Sequence, residues 1–156
     1  MRVNLVSINA YTNAQRLVNA PHSDPRRARA AGLNIISTLS STDGVIEKLF
    51  PNLAFSAIAF RVPVACGSVI SLEIEFAEGI NDNYLLGALK SRPDIIGYTE
   101  EPLVSSDIIG DSRSAVIDGL LLKSDGHYVR IVAWYDNEWA YVARLCDLAI
   151  YIGGRL

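Results

Sequence analysis

The sequence predicts an α+β domain, in which a β-sheet is covered by helices on one face. Three observations support this fold class. Strand-like segments outnumber helix-like ones, the two do not alternate regularly along the chain, and half of the 156 residues are apolar. Regular alternation would instead indicate a parallel sheet with helices on both faces. The mean hydropathy of +0.22 further predicts a sheet buried on both faces or a large interface with a partner.

Six segments have the pattern of strands. Residues 68–76 alternate most clearly, because Ile70, Leu72, Ile74 and Phe76 fall on one face while polar residues separate them. The other strands are predicted at residues 3–8, 55–62, 95–99, 115–122 and 128–135.

Two of the three predicted helices lie between strands. The first covers residues 42–50, and Ser41 or Thr42 can cap its start. The second covers residues 81–91 and stops before Pro93, since proline cannot continue a helix.

The third helix begins in the stretch "WYDNEW" near the end of the sequence. Asp136 is predicted to cap its first turn, and the acidic residues there suit the positive end of the helix dipole. Apolar residues at positions 139, 142, 143, 146, 149 and 150 follow helical spacing, so this face is predicted to pack on another surface. Capping gives no reason for Asn137, which needs another explanation.

Composition and charge exclude several classes of protein. The net charge of −3 gives no support for a nucleic-acid partner, and no apolar run is long enough to span a membrane. The first residues lack the apolar region of a secretory signal, so we expect a cytoplasmic protein. The length fits a single domain, residues 1–156.

The cysteines and histidines give no strong site. Cys66 and Cys146 are too few for a disulfide framework or a metal cluster, and both are predicted to be buried, inert thiols, with Cys66 the better candidate for reactivity. We interpret His22 and His127 as ordinary loop or surface residues. No Gly-rich phosphate loop follows a strand.

The arginines are more informative. Residues 9 to about 36 have no periodicity and read as a long irregular loop, of the kind that is usually functional or binds a neighbour. The loop carries Arg26, Arg27 and Arg29, a run that is most often a solvated surface.

Arg61 differs from that run because it lies inside the apolar strand "AIAFRVPV". A shielded charge there needs a partner, either a carboxylate such as Asp107 or Asp118, or a bound anion. The second alternative predicts a phosphate-binding cluster that Arg61 forms with Thr12, Arg27 and Ser40.

Several longer stretches carry a family resemblance. "AYTNAQ", "RRARAAGLNII", "AIAFRVPV", "LVSSDIIGDSRSAVID" and "WYDNEWAY" occur in an order that resembles phosphorylating glyceraldehyde-3-phosphate dehydrogenases and the related erythrose-4-phosphate dehydrogenases. The resemblance covers nearly the whole chain. It implies the second, catalytic domain of that glycolysis-related oxidoreductase family, with a mixed, largely antiparallel sheet and about three helices on one face.

The resemblance also implies a cofactor contact. Asn137 matches the asparagine that holds the nicotinamide carboxamide of NAD, and Tyr141 matches a tyrosine beside the nicotinamide ring. Residues 10–34 resemble the S-loop, which in the family packs against a neighbouring subunit. We therefore expect a homo-oligomer or hetero-oligomer formed through this loop and the open face of the sheet.

Two anion sites are implied in the same way. Arg61 resembles the arginine that grips the substrate phosphate, and Thr12 matches its threonine partner. Arg27 and Ser40 resemble the second anion site, where Ser40 and Ser41 stand in place of a usual Thr-Gly pair. A phosphate or a phosphorylated small molecule is the expected ligand.

The sequence departs from the family at the residues that carry the chemistry. Asn9 occupies the position of the expected histidine, and an amide cannot take a proton from a thiol near neutral pH. The segment with the nucleophilic cysteine and the nucleotide-binding half are not found in the sequence, so we expect no cofactor for the chain alone and NAD contact only with a complementary domain. We also expect no metal.

Three functions remain open at this point. The chain is a pseudoenzyme that binds a partner and a phosphorylated ligand, one half of a split NAD-dependent aldose-phosphate dehydrogenase, or a purely structural subunit. The missing base argues against the split enzyme, while the presence of Arg61, Asn137 and Tyr141 favours ligand binding.

Overall fold

The computed structural model describes residues 1–38, 40 and 42–155 and contains one eight-stranded sheet. Its strands are β1 (Arg2–Ala10), β2 (Ile36–Thr38), β3 (Ala54–Val62), β4 (Ser68–Glu75), β5 (Ile96–Thr99), β6 (Ala115–Asp118), β7 (Lys123–Ser124) and β8 (Tyr128–Tyr135). They lie in the order β2-β3-β1-β4-β8-β6-β5, and β7 pairs with β8 beside this path. Only the pairs β1–β3 and β5–β6 are parallel, so the predicted mixed, largely antiparallel α+β fold is confirmed.

Three α-helices accompany the sheet: α1 (Thr42–Leu49), α2 (Asp82–Leu89) and α3 (Trp139–Gly153). Helix α2 begins at Asn81, because its Oδ1 accepts hydrogen bonds from the backbone N–H groups of Asn83 and Tyr84. A single 3₁₀ turn at Ala31–Leu33 lies in the long loop. Among the described residues no helix is both long and apolar enough to cross a membrane.

The core lies on one side of the sheet, which we call the inner face. Strand alternation places Ile70 and Leu72 of β4 beside Ala133 and Ile131 of β8 on this face. Leu85 of α2 packs onto the same cluster. Helix α1 packs on β3, so both helices cover the inner face and leave the opposite, outer face of the sheet open.

One predicted strand was too long, and the short strands β2 and β7 were missed. The strand predicted at 115–122 ends at Asp118, because its carboxylate accepts a hydrogen bond from the Leu120 N–H and turns the chain. Strand β2 was missed because it has only three residues and pairs with β3, far away in sequence. The predicted cap at Ser41 lies outside the described residues.

The prediction for the last helix is partly confirmed. Asp136 does cap its start, since its Oδ1 accepts hydrogen bonds from the Glu138 and Trp139 N–H groups at 2.9 and 2.8 Å. The predicted packing of the apolar face is wrong within this chain, because Ala140 is the one buried residue of α3. Cys146, predicted to be buried on that face, is exposed.

Candidate functional site

A polar cleft of about 210 Å³ opens on the inner face where β1, β3 and β8 end. Its lining consists of Leu5, Ser7, Asn9, Thr38, Ser40, Thr42, Ala59, Arg61, Ile70 and Tyr135. Two of these residues meet through the strand register, because Asn9 of β1 pairs with Arg61 of β3 in the parallel ladder. Chain folding therefore brings three predicted residues, Asn9, Ser40 and Arg61, into one cleft.

Arg61 is incompletely paired. One of its terminal nitrogens donates to the Ala10 carbonyl at 2.9 Å, whereas its Nε is buried and has no hydrogen-bond partner among the described residues. Burial lowers the pKa of Arg61 from its ordinary value; Tyr135 acts in the opposite direction, and the charge of Arg27 lowers the pKa further. The guanidinium is thus held near a second cation without a complete set of acceptors.

Neither carboxylate considered as a partner for Arg61 is available to it. Asp107 accepts a hydrogen bond from the Val104 N–H at 2.8 Å. Asp118 accepts from the Trp134 indole N–H at 3.1 Å, in addition to its bond from Leu120. Both acids therefore stabilise turns and strands elsewhere, and among the described residues no ion pair joins Arg61 to either of them.

Asn9 is buried, and hydrogen bonds engage both ends of its amide. Its Oδ1 accepts from the Tyr135 hydroxyl at 2.6 Å, and its Nδ2 donates to Ser7 Oγ at 3.2 Å and to the Phe60 carbonyl at 3.4 Å. These bonds orient the side chain within the sheet. They give Asn9 the environment of a structural residue at the wall of the cleft.

The other predicted anion ligands lie around this cleft in different positions. Arg27 is half-buried and forms an ion pair with Asp24, with 3.5 Å from its Nε to the Asp24 Oδ2. Ser40 Oγ accepts a hydrogen bond from the Thr42 N–H at 3.2 Å, and Ser41 lies outside the described residues. Ser40 thus already has a partner within the fold, whereas the Arg27 Nε, like that of Arg61, is buried without a hydrogen-bond partner among the described residues.

Thr12 lines a separate depression of about 250 Å³ with Tyr11, Asn13, Gln15, Leu17 and Glu138. Its hydroxyl donates to Gln15 Oε1 at 3.0 Å, and its N–H donates to the same oxygen at 2.9 Å. This bonding closes a local turn. The structure thus places Thr12 beside the cleft rather than in its lining.

The predicted nicotinamide residues follow β8. Ser68 Oγ donates to Asn137 Oδ1 at 3.3 Å, which ties the "WYDNEW" turn to the start of β4. Tyr141 lies on the first turn of α3 and is 65% exposed. Asn137 is thus oriented by the fold, whereas Tyr141 extends into solvent.

Asp136 organises the junction between β8 and α3. It is buried, and besides the two capping bonds its Oδ2 accepts from the Gly110 N–H at 2.9 Å. Burial raises the pKa of Asp136, but these N–H donors and the Cys66 thiol outweigh burial and hold the pKa below its usual value.

The thiol of Cys66 is a poor nucleophile in this setting. Burial raises its pKa, the Gly67 N–H opposes the shift, and the negative charge of Asp136 raises the pKa again. A thiol with a raised pKa has little thiolate at neutral pH. The histidines also lie apart from the cleft, since neither His22 nor His127 lines it. Within residues 1–38, 40 and 42–155, no group of three His, Cys, Asp or Glu side chains could hold a metal ion.

Sequence reasoning missed Tyr135 as a cleft residue. Burial raises its pKa, hydrogen bonding with Ser68 and the charge of Arg61 oppose the shift, and its hydroxyl contacts Asn9. A signal was available in the alternation of β8, because Tyr135 continues the inner-face series of Val129, Ile131 and Ala133 to the end of the strand.

Comparison with known proteins shows which family this arrangement belongs to. The family model described as glyceraldehyde 3-phosphate dehydrogenase, C-terminal domain, matches residues 1–137. Glyceraldehyde-3-phosphate dehydrogenase 1 of Streptomyces avermitilis is 43% identical over 97% of this chain and 48% of its own length. The enzymes of that name from Mycobacterium avium and Borreliella burgdorferi are each 40% identical, over 97% and 93% of this chain and 47% and 46% of their own lengths. The chain thus spans about half the length of the curated relatives that it matches.

Proposed function

The chain belongs to the glyceraldehyde-3-phosphate dehydrogenase family, as its C-terminal domain, and from this premise we propose that it is a non-catalytic member that binds a phosphorylated small molecule and works as a subunit of an assembly. The observation that carries the proposal is the guanidinium of Arg61 at the polar cleft, whose buried Nε has no hydrogen-bond partner among the residues that the structure describes.

A phosphate is the ligand that this cleft would accept best. A partly buried guanidinium with an incomplete set of acceptors is costly, and a phosphate supplies two oxygens that match its planar fork. Hydroxyl groups of Thr38, Ser40 and Thr42 line the same cleft and offer further donors to an anion. Arg27 adds positive charge nearby, as its effect on the pKa of Arg61 indicates.

We do not expect this chain to catalyse the dehydrogenase reaction of the family. A thiol addition needs an activated nucleophile and a group that takes its proton. Asn9 offers an amide already bonded at both ends, and Cys66 has a raised pKa beside a carboxylate. We therefore propose that the cleft binds and does not transform its ligand.

A nicotinamide contact would require a complementary nucleotide-binding domain. The Ser68 hydroxyl donates a hydrogen bond to Asn137 Oδ1, and Tyr141 is exposed. Both residues lie on one turn of chain without the surface that a dinucleotide needs. NAD binding is accordingly proposed only together with a complementary nucleotide-binding domain.

Ligand-dependent stabilisation tests the proposal. Phosphate or glyceraldehyde 3-phosphate should raise the melting temperature of the full chain above that in chloride of matched ionic strength, because a ligand that binds the folded state stabilises it. Arg61→Ala should abolish this shift. Arg26→Ala, which removes one positive charge from an exposed residue of the loop, should retain the shift. A purely structural subunit would show the same melting temperature in phosphate and chloride, and that result would refute ligand binding.

An activity measurement tests the proposal that the chain is not catalytic. The chain should reduce no NAD with glyceraldehyde 3-phosphate, and Asn9→His should not restore turnover because the raised pKa of Cys66 leaves it a poor nucleophile. Turnover above a no-protein control, in a preparation that mass spectrometry shows to be without a contaminating dehydrogenase, would contradict it.

A further inference from the structure

The polar cleft has two chemically different sides. On the side of β3 lies the guanidinium of Arg61, and the positive charge of Arg27 is close enough to lower its pKa. On the side of β1 and β8 lie Ser7, Asn9 and Tyr135, which are neutral. Among the described residues that line the cleft there is no carboxylate. The cationic side suits a phosphate, and the neutral side suits an uncharged polar group of the same ligand.

Two hydroxyl groups on the neutral side flank the Asn9 amide. Tyr135 donates to Asn9 Oδ1 at 2.6 Å, and Asn9 Nδ2 donates to Ser7 Oγ at 3.2 Å. Asn9 is buried and so holds both hydroxyls in fixed positions. The two hydroxyl oxygens therefore lie on opposite sides of a single amide group, within reach of one small ligand.

These two hydroxyls have complementary hydrogen-bonding capacity that the fold leaves unused. The Tyr135 hydrogen goes to Asn9, so the phenolic oxygen can only accept a further bond. Ser68, opposite Tyr135 in the β4–β8 ladder, gives its one hydrogen to Asn137 Oδ1. The Ser7 oxygen already accepts from Asn9, and among the described residues its own hydrogen has no acceptor. Tyr135 thus offers an acceptor and Ser7 a donor.

An alcohol is the uncharged group that can use both positions. Its hydroxyl group donates and accepts, so it can donate to the Tyr135 oxygen and accept from the Ser7 hydroxyl. A carbonyl oxygen only accepts and would leave the Tyr135 oxygen without a donor. A carboxylate would bring a negative charge to the side of the cleft that is lined by neutral groups.

We propose that the cleft binds the phosphate ester of a short polyol, with its phosphate on Arg61 and its alcohol groups on Ser7 and Tyr135. This inference rests on the proposed binding of a phosphorylated small molecule and names the class of that molecule. Asn9 acts as a positioning residue, because its Oδ1 takes the Tyr135 hydrogen and turns the phenolic oxygen into an acceptor.

The rest of the lining agrees with a short carbon chain between the two polar groups. Leu5, Ala59 and Ile70 supply apolar surface in the same cleft. Its volume of about 210 Å³ is below the roughly 300 Å³ at which sites for drug-sized ligands begin. The ligand should therefore have only a few carbon atoms.

Calorimetric titration of the full chain with three phosphate esters tests the ligand class. Glycerol 3-phosphate carries two alcohol groups, propyl phosphate has the same three carbons without them, and hydroxyacetone phosphate has a ketone and no free hydroxyl. Glycerol 3-phosphate should bind about fivefold or more tightly than propyl phosphate, which is the usual net worth of one hydrogen bond. Hydroxyacetone phosphate should bind more weakly than glycerol 3-phosphate.

Variants show whether Ser7 and Tyr135 provide this preference. Tyr135→Phe and Ser7→Ala should each remove most of the preference for glycerol 3-phosphate, while the affinity for propyl phosphate stays the same. The ratio of the two affinities would not change if these residues only stabilised the fold. Tyr84→Phe, at an exposed tyrosine of α2, is the matched control and should keep the ratio. Arg61→Met should abolish the binding of both esters.

Equal affinities for glycerol 3-phosphate and propyl phosphate would overturn the inference, as would a preference that both variants retain. Hydroxyacetone phosphate bound as tightly as glycerol 3-phosphate would also overturn it. In these cases propyl phosphate would still bind through Arg61, and the proposed phosphate site would stand. A chain that binds neither ester nor inorganic phosphate would instead refute the proposed ligand site, and the polyol site with it.

Discussion

Asp136 and Arg61 are two shielded charges at the same end of the sheet, and their surroundings differ sharply. Asp136 accepts three backbone N–H bonds, from Gly110, Glu138 and Trp139, all between 2.8 and 2.9 Å. Arg61 makes one bond, to the Ala10 carbonyl, and its buried Nε makes none among the described residues. One charge is satisfied by its own chain, and the other is not.

The difference separates a structural charge from a binding charge. A buried carboxylate with complete hydrogen bonding stabilises the elements that donate to it, here the start of α3 and the loop at Gly110. A partly shielded guanidinium with one carbonyl acceptor contributes little to stability by itself, and Arg61 is the group that we propose binds an anion. Substitutions at the two positions should therefore have very different effects on stability.

The largest effect is expected at Asp136. Asp136→Ala should lower the free energy of unfolding by about 2–4 kcal/mol, because it removes the helix cap and takes a charged acceptor away from the N–H groups of Gly110, Glu138 and Trp139. Chemical denaturation of the two proteins measures the difference. A loss below about 0.5 kcal/mol, the range of ordinary surface substitutions, would erase the contrast with Arg61.

Lowering the pH should cause part of the same loss in the free energy of unfolding. The pKa of Asp136 is lower in the folded chain than its usual value, so its stabilising contribution is fully present above the unfolded pKa of about 4 and is lost as the pH falls through the folded pKa. In Asp136→Asn, this component of the acid dependence should vanish. Denaturation midpoints of both proteins between neutral and acidic pH measure this component. The same pH dependence of the midpoint in both proteins would show that folding does not change the pKa of Asp136.

A smaller effect is expected at the wall of the polar cleft. Tyr135→Phe removes the donor to Asn9 Oδ1 and should cost about 1 kcal/mol, the usual net worth of a neutral hydrogen bond. Tyr84→Phe, at an exposed tyrosine of α2, is the matched control. Equal effects of the two changes would indicate that the bond between Tyr135 and Asn9 adds nothing to stability.

The smallest effect is expected at Arg61 without ligand. Arg61→Met keeps the apolar stem and removes a poorly paired charge, so stability in chloride should change by less than about 1 kcal/mol, in either direction. The same variant should lose all stabilisation by phosphate. A loss as large as that of Asp136→Ala in chloride would mean that Arg61 is a structural charge after all.

The strands and helices could be predicted because their patterns are local. The alternation of Ile70, Leu72 and Ile74 and the cap at Asp136 are encoded within a few residues. The short strand β2 could not be predicted, since only pairing with β3 defines it. The exposed face of α3 was also unpredictable from periodicity, because a helical pattern shows that a face is apolar but not which surface covers it.

The candidate site could also be predicted only in part from the sequence. Arg61 could be singled out because a charge within an apolar strand requires a partner. The residues that surround it, Asn9 and Tyr135, come together only through the pairing of β1 with β3 and of β4 with β8. The position of Thr12 in a neighbouring depression likewise depends on a turn closed by Gln15, which spacing along the chain does not reveal.

The central place of β1 in the sheet has a consequence for how the chain folds. Strand β1 is the first element, yet its two neighbours, β3 and β4, follow about 50 to 70 residues later in register with it. Such distant pairings slow folding, since long loops must close before the contacts form. Until then, both edges of β1 are open to pairing with other chains. Refolding yield should therefore fall steeply with protein concentration, and the competing reaction is intermolecular β-pairing through this one strand.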